Sequence, residues 1–128
     1  MELSDVEVNV LSVLSEAAEE ELATLANTVL GSAEERGDPQ VLQVLNASLD
    51  RLRQRQLIGY AYYKDGWQDL SDDQLAPFVP IRRCLAWDDA GARWRWNAAE
   101  CGQERLIVVL LEKGRRAIAG YRQRELLT

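Results

Sequence analysis

The sequence predicts one α+β domain with a helical first half, a β-rich middle and a closing helix. Three observations carry that reading. Apolar residues recur at helical spacing between positions 5 and 54, interrupted by Gly37-Asp38-Pro39. Segments rich in β-formers follow at 57–63, 93–96 and 105–111. The chain has 128 residues, 47% hydrophobic and 28% charged, enough for one packed core and short for two.

Each element has its own signal. Ser4-Asp5-Val6-Glu7 reads as a capping box, in which hydroxyl and carboxylate satisfy backbone donors at a helix start. Val6, Val10, Val13, Leu14 and Ala17 then give a first helix over about residues 5–16, with a break near Ala17-Ala18. Glu19, Glu20 and Glu21 suit the first turn of a second helix, where the dipole favours acids. Leu22, Leu25, Ala26, Val29 and Leu30 form its apolar face; Gly31 ends it, or a frayed turn runs on to Arg36. Gly37, Asp38 and Pro39 fit a left-handed position, an N-cap and a first helical position. The stripe Val41, Leu45, Leu49 and Leu52 then predicts a third helix to about residue 54 or 55. Its other face shows Gln43, Asn46, Ala47, Asp50 and Arg51.

The second half is built from shorter pieces. Residues 57–63 read as a strand, Asp65-Gly66 as a hairpin turn and residues 71–75 as one capped helical turn. Pro77 and Pro80 mark irregular chain. Strands are expected at 82–87 and 93–96 around a turn at 88–91, with arginines on one face of Arg93-Trp94-Arg95-Trp96 and tryptophans on the other. Residues 100–103 read as a turn, 105–111 as an apolar strand, and 112–125 as a helix with Ala117, Ile118 and Tyr121 inward.

Composition narrows function. Histidine is absent, which removes the usual general base and the usual metal ligand. With two cysteines besides, neither a metal site nor a cofactor site is expected, and the chain reads as a non-enzyme. Two cysteines also suit a reducing compartment, and acids in the first fourteen residues are unlike a secretory leader, so a cytoplasmic location is expected. No apolar run approaches the roughly 20 residues of a membrane span. The net charge of −6 is split: residues 1–50 hold eleven Asp/Glu and one Arg, whereas the remainder carries +4. The acidic total opposes general polyanion binding, while the basic second half leaves a local nucleic-acid surface open.

Two segments carry a resemblance. Leu45-Asn46-Ala47-Ser48-Leu49-Asp50-Arg51-Leu52-Arg53-Gln54-Arg55-Gln56-Leu57-Ile58 resembles the recognition helix and first wing strand of winged helix-turn-helix proteins, PadR-like transcriptional regulators among them. Leu110-Leu111-Glu112-Lys113-Gly114-Arg115-Arg116-Ala117 is similar to the end of the wing and the start of the helix after it. The resemblance implies a winged helix-turn-helix with three N-terminal helices, an enlarged β-wing and a C-terminal helix. Residues 1–56 would be the helical part, 57–111 the wing with an insert at about 67–104, and 112–128 the closing helix. It implies a transcription-regulator-like protein binding double-stranded DNA, with a homodimer contact on the closing helix. Base contacts would fall around Gln43, Asn46, Ala47 and Ser48, and phosphate contacts on Arg51 and the wing.

Several positions depart from the pattern. Gln56 stands where many members have Gly, so that turn needs another geometry. Leu111 replaces a capping Thr, and residues 67–104 lengthen a wing that is usually short. Leu42 and Val44 are apolar near a surface that a DNA reader keeps polar, and Asp50 and Glu19–Glu21 would face phosphate with the wrong sign. The alternative is therefore a winged-helix module that binds no DNA and meets a basic protein partner through its acidic helical face.

Other groups admit two readings each. Arg51, Arg53 and Arg55 are phosphate anchors or a solvated helix end. Arg82, Arg83, Arg93 and Arg95, interleaved with Trp87, Trp94 and Trp96, are a nucleic-acid surface or the outer face of a half-buried hairpin. Tyr60, Tyr62, Tyr63, Trp67 and Phe78 line a small-molecule pocket or belong to ordinary core. Asp72-Asp73, Asp88-Asp89 and Glu100/Glu104 read as turn carboxylates more than as acid/base pairs. Cys84 and Cys101, distant in sequence, read as unreactive thiols.

Overall fold

A helix ends at Ala17, one residue turns the chain back, and the next three enter a sheet. In the computed structural model, which describes residues 2–31, 37–63 and 67–127, α1 spans Asp5–Ala17 and β1 spans Glu19–Glu21. The turn is made at Ala18, whose φ of 68° is in the region that favours glycine. The capping box at Ser4 and Glu7 is present on both sides. The acids 19–21 do not open a helix as expected: they pair with β6 (Ile107–Leu110), Glu19 opposite Val109 and Glu21 opposite Ile107. Ladder bonds to β6 outweigh the helix preference of three glutamates, and charge suits an edge strand.

Next come α2 (Leu22–Leu30) and α3 (Pro39–Gln54), the latter capped by the Asp38 side chain on the Gln40 N–H at 2.9 Å. A frayed turn to Arg36 would lie outside the described residues, as does the Asp65-Gly66 turn. At the end of α3 the Gln56 N–H donates to Arg53 and the Leu57 N–H to Leu52, each at 2.9 Å, which is a Schellman closure. Gln56 itself takes φ 62°. The turn thus keeps the geometry that suits glycine, with a glutamine strained into it, and needs no other.

β2 (Ile58–Tyr63) and β3 (Trp67–Asp69) form a hairpin, so residues 67–69 belong to the sheet and not to the insert. The antiparallel sheet runs β1-β6-β2-β3, with β6 inside. α6 (Glu112–Leu127) follows β6 at once and packs against α1. Leu111, expected as a missing cap, instead donates its N–H to the Leu57 carbonyl at 3.1 Å. Gly114 lies against that same carbonyl: a β-carbon there would stand 2.1 Å from the Leu57 oxygen. The glycine of the Glu-Lys-Gly-Arg segment thus lets the closing helix meet the start of β2. Between these elements Leu11, Leu14, Leu25, Leu45, Leu49, Leu52, Leu57, Leu106, Val108 and Ile118 fill the core.

The insert between β3 and β6 crosses α3 and reaches α2. It holds α4 (Asp72–Leu75), two 3-10 turns (Ala76–Phe78 and Ile81–Cys84), β4 (Leu85–Asp88), β5 (Arg93–Trp96) and α5 (Ala98–Cys101). The strand expected over 82–87 begins only at Leu85, because Ile81–Cys84 coils to put Ile81 and Cys84 inside. The turn expected at 100–103 overlaps α5, capped by Asn97. On β5 the alternation holds: Arg93 and Arg95 are exposed, Trp94 is buried and Trp96 half-buried. Asn27 of α2 fixes this strand by donating to the Trp94 carbonyl at 3.0 Å and accepting its N–H at 2.8 Å. No helix among the described residues is long and apolar enough to cross a membrane.

Candidate functional site

The face of α3 opposite its leucines is the place to look for recognition. On a rod of 3.6 residues per turn, Gln40, Gln43, Val44, Ala47, Arg51 and Gln54 share one side. All six are exposed, Val44 by 52%. Of the residues expected to touch bases, only Gln43 and Ala47 stand on this open stripe. Gln40 and Gln54 complete it and were not singled out from sequence, although the spacing from Gln43 and Ala47 would have found them.

Asn46 is on the covered flank. Its Oδ1 accepts the Arg82 N–H at 2.7 Å and its Nδ2 donates to Asp50 Oδ2 at 3.3 Å. Both polar atoms of the amide are thus engaged by the chain itself. Ser48 is fully buried, with its hydroxyl donating to the Val44 carbonyl at 2.9 Å and accepting from Arg51 at 3.2 Å. The expectation that it meets a base does not hold on this surface. A polar residue at position 48 is carried on the buried side because the carbonyl one turn earlier satisfies its hydroxyl. Leu42, expected near the surface, is buried beside Ile81 and Leu85 of the insert.

Of the arginines expected to meet phosphate, Arg51, Arg53, Arg55 and Arg95 have acids of the same chain beside them among the described residues. Arg51 Nε is 3.7 Å and Arg55 Nη1 3.6 Å from the buried Glu7 carboxylate, which also caps α1 by accepting the Ser4 N–H at 3.0 Å. Arg53 is bonded to Asp72 at the start of α4. Arg95 pairs with Asp88 at 2.7 Å across the hairpin. Arg93 and Arg95 open with Arg105 onto a groove of about 350 Å³ along α2, which none of the α3 residues lines. The expected site is thus divided among the α3 stripe, the insert-covered flank and the hairpin beside α2.

Glu7 is buried, Glu19–Glu21 are in a strand, and Asp50 is half-buried, its carboxyl pushed above its ordinary value by burial against the pull of Arg53. Close to Asp50 and Arg53, Tyr60 is buried with its hydroxyl unbonded among the described residues, and burial pushes its phenol up. Of the other aromatics, Tyr62 and Phe78 pack on the core's edge, while the Tyr63 and Trp67 side chains lie outside the described set. A groove of about 270 Å³ beside Trp87 and Trp94 is lined by Pro39, Leu42 and Arg82, with the two indoles edge to face at 5.3 Å. Among the described residues no group of three His, Cys, Asp or Glu converges to hold a metal ion. Compared with protein families, curated proteins and solved structures, the chain matches none.

Proposed function

We propose that this chain is a winged-helix recognition module without catalytic chemistry, whose α3 stripe docks a protein partner. The element order supports the winged-helix part: a helix, a first strand, two more helices and a strand hairpin, with β6 lying between β1 and β2 in the sheet. The β2–β3 hairpin is then the root of the wing, and the insert is an extension that folds back over α3.

One observation carries the choice of partner. The open stripe has a single arginine, and Glu7 already sits beside it. A duplex reader relies on about 6–10 phosphate contacts for most of its affinity, and exposed ion pairs are worth only about 0–1 kcal/mol, so pairing alone does not disable an arginine. Carboxylates fixed at Glu7, Asp50 and Asp72 around the same helix, however, repel phosphate wherever the arginines attract it. The centre of the stripe is Val44 and Ala47, flanked by uncharged glutamines, which suits a protein surface.

Double-stranded DNA is the second reading, favoured by Gln43 and Ala47 being exposed on a helix, the element a major groove admits. One experiment separates the two. Fluorescence anisotropy with mixed-sequence duplex DNA at low salt should show no binding, and a partner captured by the wild type should be lost by Val44→Glu and Ala47→Glu. A salt-dependent duplex complex that weakens in Arg51→Ala would overturn the protein-partner reading in favour of DNA.

A further inference from the structure

The insert brings together the two thiols that the sequence separates. Cys84 ends the second 3-10 turn and Cys101 ends α5, and their sulfurs stand 2.8 Å apart. A disulfide bond is roughly 2.0 Å long, so about 0.8 Å of approach closes it. We propose that Cys84 and Cys101 form a thiol–disulfide site that is oxidised by low-molecular-weight disulfides and, once oxidised, closes a loop within the insert next to the turn that contacts α3.

The two sulfurs are not equivalent, and the difference assigns the order of events. Cys101 is half-buried and Cys84 buried, so a reagent reaches Cys101 first. Arg83 Nη2 lies 4.0 Å from the Cys101 sulfur and is held there by donating to the Pro77 carbonyl at 2.8 Å. That places a fixed positive charge beside the atom that is negative as it attacks. Cys84 donates to the Phe78 carbonyl at 3.4 Å, and burial together with Cys101 pushes its thiol up, so it stays protonated until the second step.

The reaction balances without further components. The Cys101 thiolate attacks one sulfur of a small disulfide RS–SR, a mixed disulfide forms, and the first RS⁻ leaves and takes up a proton. Cys84 then gives its proton to solvent and attacks the Cys101 sulfur, and the second RS⁻ leaves. Two protein thiols are oxidised and one RS–SR is reduced to two RSH. The second step is intramolecular between atoms already in contact, so it outruns the first.

The consequence is mechanical. Arg82, two residues before Cys84, donates the N–H that engages Asn46. A bond from Cys84 to Cys101 closes a loop over residues 84–101 and fixes the turn that carries this contact. The open α3 stripe is untouched, so the site acts on the covered flank only.

The test treats the native full chain with oxidised glutathione, quenches with iodoacetamide and reads intact mass and a peptide map. The expected product has lost two hydrogens, retains no glutathione and links the Cys84 and Cys101 peptides. Its Tm should be higher, its Arg82 amide should exchange more slowly, and dithiothreitol should reverse both. Cys84→Ser should keep glutathione on Cys101, and Cys101→Ser should not react while folded. Glutathione retained by the wild type, a linked dimer, no reaction, or a bond formed only in urea each overturns the proposal. Should Cys84→Ser fail to fold, the wild-type peptide map still decides.

Discussion

The sheet-and-helix body and the insert are held in different ways. In the body, α1, α2, α3 and β6 meet through leucines and valines that are almost wholly buried. The insert contributes a shorter apolar row, Leu75, Ile81, Cys84, Leu85 and Trp94, and is tied to α2 and α3 by a few polar contacts: two bonds between Asn27 and Trp94, one from Arg82 to Asn46, and the Arg53–Asp72 pair. Apolar packing is distributed and tolerates little loss of volume, whereas a polar pin fails singly and locally. The comparison teaches that the insert can loosen while the body stays folded, and that α3 belongs to both regimes at once.

The largest effect should come from forcing the body apart. Gly114→Ala puts a methyl onto the Leu57 carbonyl, and a loss of about 3 kcal/mol or failure to fold is expected, read by urea denaturation. A variant of wild-type stability would mean that α6 is not seated on β2.

Asn27→Ala removes both bonds to the Trp94 backbone and should cost about 1–3 kcal/mol. Its signature is spatial: amide exchange should quicken in β4 and β5 while β2 and β6 stay protected. Uniform loss of protection would erase the distinction between the two regions.

A gain is expected at the end of α3. Gln56→Gly relieves the left-handed strain at φ 62°, offset by the freedom glycine has when unfolded, for a net of up to about 1 kcal/mol. A lower urea midpoint would show that the glutamine side chain matters more than its backbone.

The smallest effect is acidic. The Gly91 N–H and then Arg95 hold the Asp88 carboxyl below its ordinary value, so its contribution is present at neutral pH and is lost as pH falls through that lowered value. The hairpin should loosen there, visible in Trp87 and Trp94 fluorescence, before the body unfolds. Asp88→Asn should flatten that step; an unchanged profile would assign it elsewhere.

Local chemistry made much of this molecule legible. Ser4 and Glu7, Asp38 and Pro39, Ser71 and Gln74 announced helix starts because caps are short-range bonds between near neighbours. Period-two alternation announced β5, and the leucines of α3 announced its inner face. Glu19–Glu21 do not read as a strand because pairing with residues 107–109, almost ninety positions later, leaves no local mark. Ser48 was misread for a related reason: nothing in the sequence says that the hydroxyl turns back to Val44 and not outward.

The candidate site divides along the same line. The chain on its own determined that α3 exists, where it begins, and that Gln43, Ala47 and Arg51 lie opposite its apolar stripe, because those facts follow from helical period. Only the folded insert decided that Asn46 is occupied, that Leu42 is covered, and that two cysteines seventeen positions apart touch. Period is a property of neighbours along the chain, while occupancy depends on which distant segment crosses the same surface.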